Sequence, residues 1–546
     1  MSETLQAVRR YHQLTKHRPQ AYALGPGFLD WETQPDPFRR FEGAPLVPLP
    51  LIEGMGRCSY DALYRPPSEP SELSLQSLGL MFELGLGLSA WKSAGPDRWA
   101  LRNNPSSGNL HPTEGYLLLW RPAAPELPPG LYHYAPREHA LEQRALLPAP
   151  VAQALAEAHP EGFGALGLSS IIWREEWKYG ARAFRYCQHD VGHALAAVRF
   201  AAAVQGWRLC ADPSAGDDDV AACLGLDRGE DFTDAEPEHP DLIALLGGPK
   251  LSEKAPDWSA LAASLQQWQG KANRLSRERV RWPQIAQLLP AVHKGGGEVA
   301  CASRPALPSM ANDRPPLDAC TLIRQRRSAQ RMDGVSALGR ADFELALLRT
   351  LPSGDSAPFD AFPYSTAVNL LLLVHAVDGL EPGLYALIRN AETFEDFRAT
   401  CNNSTLEWEA LNDTVLPLYR LLAPLDLRRV ASQIGCFQGI AGQGAFAVAM
   451  LADLGGVLPR EGAWAYRRLY WEAGLIGQVL YLEAEAAGLR GTGIGCFFDD
   501  EIHRLLGIGT GVAAWQALYQ FTIGGPIIDG RLTTQSPYAH LVRQGQ

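Results

Sequence analysis

Four arginines surround a serine in the segment RQRRSAQR, residues 324–331. A phosphate dianion accepts paired hydrogen bonds from guanidinium groups and a further one from a hydroxyl, so Arg324, Arg326, Arg327, Ser328 and Arg331 form a candidate phosphate site. The preceding Pro-Pro pair predicts that the segment lies at the start of a helix. The alternative is the solvated basic face of a surface helix.

A second polar segment, NNPSSGNLHP, stands immediately before the hydrophobic run EGYLLLW. Pro105, Ser106, Ser107, Gly108 and Asn109 are all residue types that favour turns, so these residues alone predict a turn followed by a strand.

The segment HDVGH spaces His189 and His193 as two metal ligands on one face of a helix would be spaced. It lacks the glutamate that follows the first histidine in zinc hydrolases, and no third ligand is evident beside it. We therefore predict structural histidines and no metal site.

Composition and charge restrict the class of protein. A chain of 546 residues is long for one core, so two domains of roughly 200–250 residues are expected. A net charge of −11 argues against nucleic acid or an anionic membrane as the main partner. The nine cysteines include no CxxC pair, which is typical of reduced thiols. With no apolar signal segment and no long apolar run, the sequence predicts a cytoplasmic protein without a membrane anchor.

Two parts of the chain resemble each other. The stretch from Pro105 to the Gly-Leu-Tyr at 130–132 aligns without a gap to the stretch from Pro358 to the Gly-Leu-Tyr at 383–385. The sequence around Gly192 resembles that around Gly474, and both copies end in Gly-Gly-Pro. We therefore predict two copies of one fold rather than two unrelated domains.

Each copy has the same predicted order of elements: a helix before the polar loop, a strand after it, a strand beginning at Gly-Leu-Tyr, a long apolar helix and a final strand. The helices are expected within 71–91 and 341–351, and the long helices at 191–206 and 473–488. The predicted organisation is an N-terminal extension (1–50), a first domain (51–250), an irregular connector (251–315) and a second domain (316–546).

The chain resembles the nitroreductase family, whose members bind FMN. The resemblance is carried by RRS followed by another basic residue, by GLRGTGIGCFFDDEI after the second long helix, and by both copies in order, over about 40–250 and 316–530. The N-terminal sequence YHQLTKHRPQ, with FLDWETQPDPFRRFEGAPLVPLP, resembles the leader of the SagB-type branch, which includes azoline dehydrogenases. The resemblance implies an α+β fold of two fused nitroreductase-like domains that form an intramolecular pseudo-dimer.

The same resemblance implies the cofactor contacts. Arg326, Arg327 and Ser328 would hold the FMN phosphate, and Arg331 would replace the family's next basic residue, because Gln330 stands at that position. The backbone of Gly493, Ile494 and Gly495 would line the edge of the ring. Arg531 would close the phosphate pocket, or is an ordinary surface arginine.

Each copy retains a different half of the family's site. The first keeps the loop from Pro105 to Asn109 but has no RRS cluster in its opening segment, residues 53–70. The second keeps the arginines, but Phe359, Asp360 and Ala361 replace the serines and glycine. We therefore expect one FMN per chain, bound between the loop of the first copy and the arginines of the second.

Lys178 and Tyr179 resemble the Lys-Tyr pair of azoline dehydrogenases, which accepts a proton while the flavin takes a hydride. This role requires that burial or a neighbouring cation lower their pKa toward neutrality. The repeat places Arg460 and Glu461 at the matching positions, so the pair occurs once. The alternative is a surface lysine beside a packing tyrosine.

The resulting expectation is an FMN-dependent oxidoreductase that acts on an azoline-type peptide or related substrate. One alternative is a nitro or quinone reductase with NAD(P)H as electron donor. Another is a degenerate flavin-binding scaffold in a biosynthetic complex. The sequence leaves further oligomerisation open.

Overall fold

A computed structural model describes residues 2–52, 58–66, 69–252, 254–297, 304–310, 314–510 and 515–542, with the single residues 299, 302 and 312. The predicted opening segment of the first copy and the connector therefore lie partly outside the described residues. Among the described residues, no helix combines the length and apolar character needed to cross a bilayer.

Within the described residues, the strands form two large antiparallel sheets whose strand orders match along the chain. In spatial order the first sheet contains Leu46–Pro48, Ala140–Leu146, Gly130–Ala135, Thr113–Leu119, Gly162–Ser170, His239–Gly247 and Arg208–Ala211. The second contains Glu409–Ala410, Leu418–Leu422, Gly383–Leu387, Val368–Val374, Phe446–Asp453, Trp515–Gly524 and Arg490–Ile494.

Helices cover both faces of each sheet. The helices that precede the first half or belong to it are Glu3–Leu14, Leu75–Leu86, Ala149–Ala158, Ile172–Tyr179, Ala183–Val204 and Asp217–Leu224. The connector contains Trp258–Ser264 and Pro283–Leu288. The second half contains Ala319–Gln325, Arg340–Leu348, Phe394–Thr400, Arg428–Ile434, Ile440–Gln443, Leu454–Glu461, Ala465–Ala486, Asp499–Leu506 and Ala539–Val542.

The central strands are hydrophobic throughout because both of their faces are buried. Leu117 and Leu370 belong to one core that extends through both halves of the chain. Their neighbours Leu118 and Leu371 point the opposite way, each into a core of its own half. The alternation along each strand therefore divides the interior into one shared core and two outer cores.

Two predicted boundaries are wrong. The helix expected over 71–91 ends at Leu86, and its last residues instead begin a hairpin of Leu88–Ala94 with Asp97–Arg102. The chain turns at Gly87, where a Cβ atom would lie 2.6 Å from the Glu83 carbonyl oxygen. The arginine segment does not start a helix either: the helix begins after its N-cap Asp318, and Arg326 is its C-cap.

The two long helices, Ala183–Val204 and Ala465–Ala486, cross at a pair of glycines. A Cβ atom on Gly192 would lie 2.2 Å from the Trp471 carbonyl oxygen, and one on Gly474 would lie 2.3 Å from that of His189. The backbones can be this close only because neither residue has a side chain.

Ion pairs surround this crossing in symmetric positions. Arg185 of the first long helix donates to Asp499 of the second half over 2.7 Å. Arg467 of the second long helix donates to Asp217 of the first half, also over 2.7 Å. All four residues are buried, so removing one partner would leave an uncompensated charge in the interior.

The two ends of the chain pack on opposite halves. His12 in the N-terminal helix hydrogen-bonds Gln516 of the second sheet over 3.0 Å, and Lys16 pairs with Asp500. The C-terminal strand Thr533–Gln535 pairs with the first-half hairpin strand Leu88–Ala94. The contacts of the N-terminal helix with the second half, and of the C-terminal strand with the first half, hold the two halves in one relative orientation.

Replacing Gly474 with alanine should destabilise the protein by about 1–3 kcal/mol, because the new methyl group forces the two long helices apart. Urea unfolding followed by circular dichroism measures the change. Gly229→Ala is the matched control, since a Cβ atom there meets no atom within 4 Å. Equal stability of the two variants would contradict the inferred close contact.

Candidate active site

A cavity of about 510 Å³ opens between the two halves. Its wall includes the loop from Pro105 to Asn109 of the first half and the segment from Arg326 to Gln330 of the second. Gly493, Ile494 and Gly495, at the end of an edge strand of the second sheet, complete one side. The structure thus brings together predicted residues that lie more than two hundred positions apart.

Four cations line one end of this cavity: Lys92, Arg326, Arg327 and Arg490. Burial and the neighbouring cations Arg326 and Arg490 lower the pKa of the Arg327 guanidinium to about 10. Burial, Arg327 and Arg490 also lower the pKa of Lys92. Cations that disfavour one another's charge are stabilised when an anion binds among them.

Arg326 is held by the first half of the chain. Its side chain donates to the carbonyl oxygens of Arg102 and Asn103, each over 3.1 Å, and is 3% exposed. Its Nη1 is buried and, within the described part of the chain, has no hydrogen-bond partner. The guanidinium is thus oriented by two backbone groups and has a donor left for a ligand.

The polar loop is held by Asp190 of the first long helix. The Ser107 backbone N–H donates to the carboxylate over 3.1 Å, and the Ser107 hydroxyl over 3.3 Å. Burial raises the pKa of Asp190 to about 7, although the hydrogen bonds from Ser106 and Ser107 oppose the increase. Asp190 also lines the cavity, so it can exchange a proton there near neutral pH.

Aromatic side chains pack against the glycines on the opposite wall. A Cβ atom on Gly493 would lie 2.0 Å from the Tyr519 hydroxyl, and one on Gly495 would lie 2.2 Å from the Tyr186 ring. The Tyr481 hydroxyl contacts both Ser328 Oγ and the Gly493 N–H over 2.9 Å. This tyrosine therefore connects the arginine segment to the glycine-containing wall.

Lys178 and Tyr179 lie next to Gly108 of the polar loop. A Cβ atom at Gly108 would lie 3.1 Å from Lys178 Nζ and 2.5 Å from the Tyr179 hydroxyl. Burial, reinforced by Glu175, raises the pKa of Tyr179 well above its ordinary value. The lowered pKa that proton acceptance would require is not found for this tyrosine, which keeps its proton at neutral pH and can donate a hydrogen bond.

The other basic residues singled out in the sequence lie elsewhere. Arg324 pairs with Glu83 over 2.7 Å, and Arg331 is exposed outside the cavity wall. The Arg531 side chain is 89% exposed and pairs with Asp529, which does line the cavity.

His193 also lines the cavity, where its Nε2 is 3.1 Å from the Tyr519 hydroxyl. His189 stacks on the same tyrosine ring, with centroids 4.1 Å apart. No group of three or more His, Cys, Asp or Glu side chains among the described residues is arranged to hold a metal ion.

Lys92, Asp190 and Arg490 are among the residues of the site that were not predicted. Arg490 stands in the quoted segment GLRGTGIG, and Asp190 aligns with the acidic Glu472 in the other copy, so both had a signal in the sequence. Lys92 lies on the hairpin strand Leu88–Ala94, one residue beyond the end of the predicted helix, and no motif marked it.

The loop of the second half that corresponds to the serine loop, residues 358–361, is bound by other side chains of the protein. The Arg199 guanidinium makes paired hydrogen bonds to Asp360, at 2.8 and 2.7 Å. Arg304 donates to the carbonyl oxygens of Phe359, Phe362 and Tyr364. An arginine of the first long helix thus binds the aspartate that replaced the serines.

Known proteins share this architecture. Residues 413–525 match the sequence model of the nitroreductase family. A candidate nitroreductase from Anabaena variabilis superimposes with a TM-score of 0.68 at 22% identity, over 95% of this chain and 99% of that one. The chain has the nitroreductase fold. The predicted α+β class, with two nitroreductase-like domains in an intramolecular pseudo-dimer, is confirmed.

Other solved structures match smaller parts of the chain. A candidate nitroreductase from Exiguobacterium sibiricum in complex with FMN has a TM-score of 0.23 at 13% identity and covers 41% of this chain and 92% of its own. A chain of the E. coli microcin synthetase complex has a TM-score of 0.27 at 19% identity and covers 47% and 94%. No curated protein matches this sequence at a significant level.

Replacing Asp190 with asparagine should change how stability depends on pH. Between pH values of about 4 and 7 the native carboxyl holds a proton that the unfolded chain has released, so the wild type loses stability as pH rises. Relative to the variant, its free energy of unfolding should fall by about 2–3 kcal/mol between pH values of about 5 and 8. Urea unfolding at both pH values measures this difference.

Asp218→Asn serves as the control, because that side chain is 94% exposed. A difference between wild type and Asp190→Asn that does not vary with pH would show that Asp190 is ionised throughout this range.

Proposed function

We propose that this protein is an FMN-dependent oxidoreductase with one active site per chain. The observation that carries the proposal is the cavity between the halves. It is lined by the serine loop of the first half and by Arg326 of the second, whose buried Nη1 has no hydrogen-bond partner among the described residues. We also propose that the two halves arose by duplication, because their sheets share one strand order.

The residues present fit FMN. Arg326, Arg327, Arg490 and Lys92 would hold the phosphate, with Ser328 adding a hydroxyl. The flavin ring would lie along Gly493–Gly495, where the absence of side chains lets a flat group approach the backbone. FMN, when bound, supplies two-electron hydride chemistry at N5.

The second possible site between the halves is unsuited to this role. Asp360, bound by Arg199, occupies the position of the serines, and a carboxylate would repel a phosphate or a reduced flavin. The two halves are thus proposed to have divided one function, with the first supplying the loop and the second the arginines.

Three side chains of the first half are proposed to bind the substrate or to exchange a proton with it. Tyr179 would donate a hydrogen bond that orients it, and Lys178 lies beside the same glycine. Asp190, with its raised pKa, would take up the proton that accompanies hydride transfer. All three are on or next to the loop that faces the proposed flavin, so binding and proton transfer occur at one place.

For the substrate class we favour an azoline-type peptide, because Tyr179 lines the cavity and Lys178 lies beside it at Gly108, and the two residues resemble the Lys-Tyr pair of azoline dehydrogenases. The alternative is a nitro or quinone compound reduced with NAD(P)H. A scaffold in a biosynthetic complex would retain the fold without turnover, and its cavity would need no proton-transfer residues.

Purified protein should contain about one FMN per chain, and Arg326→Ala should lower its FMN content at least tenfold, since a buried charge-assisted contact to phosphate is lost. The visible spectrum with flavin quantified per chain measures this. Arg531→Ala should retain its FMN because that side chain lies outside the cavity. Colourless protein that stays so after FMN is added, or two FMN per chain, would contradict the proposal.

Lys178→Met and Tyr179→Phe should slow anaerobic bleaching of the flavin by an azoline-containing peptide about 100-fold while the FMN content stays unchanged. The exposed Lys250→Met is the control. Rapid turnover of NADPH with a quinone, without any bleaching by peptide, would instead support the reductase. Flavin that neither substrate reduces would support the scaffold.

A further inference from the structure

Two cysteines meet at the edge of the cavity. Cys496 lines it directly after Gly495, and Cys436 lies in the loop that follows the helix Arg428–Ile434. The Phe498 N–H donates to the Ile434 carbonyl over 2.8 Å, and Gln438 Nε2 donates to the Cys496 carbonyl over 3.0 Å. The loop therefore lies along the segment that carries Cys496. Both thiols are free and partly exposed, and each is close enough to the other to shift its pKa.

The loop holds Cys436 in a conformation that L residues rarely adopt. Cys436 has a φ of 54° and Phe437 a φ of 61°, both in the left-handed region. Burial of Phe437 does not account for this conformation, because its side chain is 63% exposed. The consequence of the turn is the juxtaposition of the two thiols, and strained backbone of this kind is often found at functional sites.

Cys496 lies in surroundings that favour a thiolate. His17 Nδ1 accepts the Ala23 N–H over 2.9 Å, so the proton of the neutral ring is on Nε2, the nitrogen left for its hydrogen bond with Cys496. Arg182 donates to the adjacent Gly495 carbonyl over 3.1 Å. The hydrogen bonds from Cys436 and His17, together with the positive charge of Arg182, lower the pKa of Cys496.

Cys436 is placed to act as the second thiol, which attacks the Cys496 sulfur after that sulfur has been oxidised. Its hydrogen bond to Cys496 raises its own pKa, so it keeps its proton while Cys496 is ionised. Once the Cys496 sulfur is oxidised, this thiol is adjacent to it and can attack. A reactive thiolate with a second thiol beside it is the arrangement in which a mixed disulfide can be resolved to an intramolecular disulfide.

We propose that Cys436 and Cys496 form a thiol–disulfide redox centre that reacts with low-molecular-weight disulfides. The Cys496 thiolate attacks one sulfur of the small disulfide, forming a mixed disulfide and releasing one thiolate. Cys436 then passes its proton to the released thiolate and attacks the Cys496 sulfur, which releases the second thiolate. The two cysteines are oxidised by two electrons, and the small disulfide is reduced to one thiol and one thiolate, which takes its proton from the solvent.

This exchange requires no flavin, so it is independent of the proposed oxidoreductase activity. It is tested on full-length reduced protein, freed of any bound flavin, by incubation with glutathione disulfide and intact-mass measurement. The wild type should lose the mass of two hydrogen atoms. Peptide mapping should locate the cross-link at Cys436 and Cys496, which also distinguishes it from any disulfide at Cys301, a residue outside the described ones.

Single variants separate the two roles. Cys436→Ser should accumulate one glutathione on Cys496, because no second thiol resolves the mixed disulfide. Cys496→Ser should leave Cys436 unmodified over the same period. His17→Asn should slow the first step roughly tenfold, since Cys496 loses the hydrogen bond that favours its thiolate. The matched control is Cys58→Ser, which removes another partly exposed thiol and should form the cross-link as the wild type does.

Two results would overturn the proposal. In the first, both thiols of the wild type remain free when glutathione disulfide is in excess. In the second, glutathione stays attached to wild-type Cys496 without a cross-link to Cys436. Circular dichroism of each variant shows whether it is folded, and the FMN content, measured separately, reports on the flavin site.

Discussion

The contact between Gly192 and Gly474 sets the arrangement of the whole chain. Because neither residue carries a side chain, the two long helices cross backbone to backbone, and their remaining faces pack into a core shared by both halves. The cavity is bordered by residues of both halves, so its shape depends on how far apart these helices lie. A small increase in that distance would separate the serine loop from Arg326.

Charged groups specify the orientation that the apolar core permits. Hydrophobic packing is non-directional, whereas the buried pairs Arg185–Asp499 and Arg467–Asp217 require particular side chains to face each other. They occupy equivalent positions in the two halves, as expected for a pseudo-twofold arrangement. The N-terminal helix and the C-terminal strand add further specific contacts between the halves, since each packs on the half that is distant in sequence.

The symmetry of the scaffold contrasts with the asymmetry of the site. Asp190 and Glu472 occupy matching positions, yet Asp190 binds the serine loop, whereas Glu472 accepts the Ala367 N–H and pairs with Arg389. Arg199, on the first long helix, neutralises Asp360 in the altered loop. One region between the halves is thus an open cavity, while its counterpart holds an internal ion pair.

The sequence alone was sufficient for the matching order of elements in the two halves, the main strands, the long helices, and the polar loop and arginine segment that meet at the cavity. These follow from hydrophobic periodicity and from local residue types, which depend on near neighbours in the chain. The nitroreductase fold could also be expected, from the resemblance to that family. The pairing of one loop with one arginine segment could be expected because each copy lacks a different half of the site.

Only the tertiary structure decided the properties that depend on distant residues. The pKa of Asp190 and that of Tyr179 are raised by burial, which cannot be read from adjacent residues. The same holds for the exclusion of Arg331 and Arg531 from the cavity and for the inclusion of Lys92 and Arg490. Cys436 and Cys496 are sixty positions apart, and no spacing motif links them. They meet because a left-handed turn brings one loop against the end of a strand, an arrangement that the surrounding fold imposes on the chain.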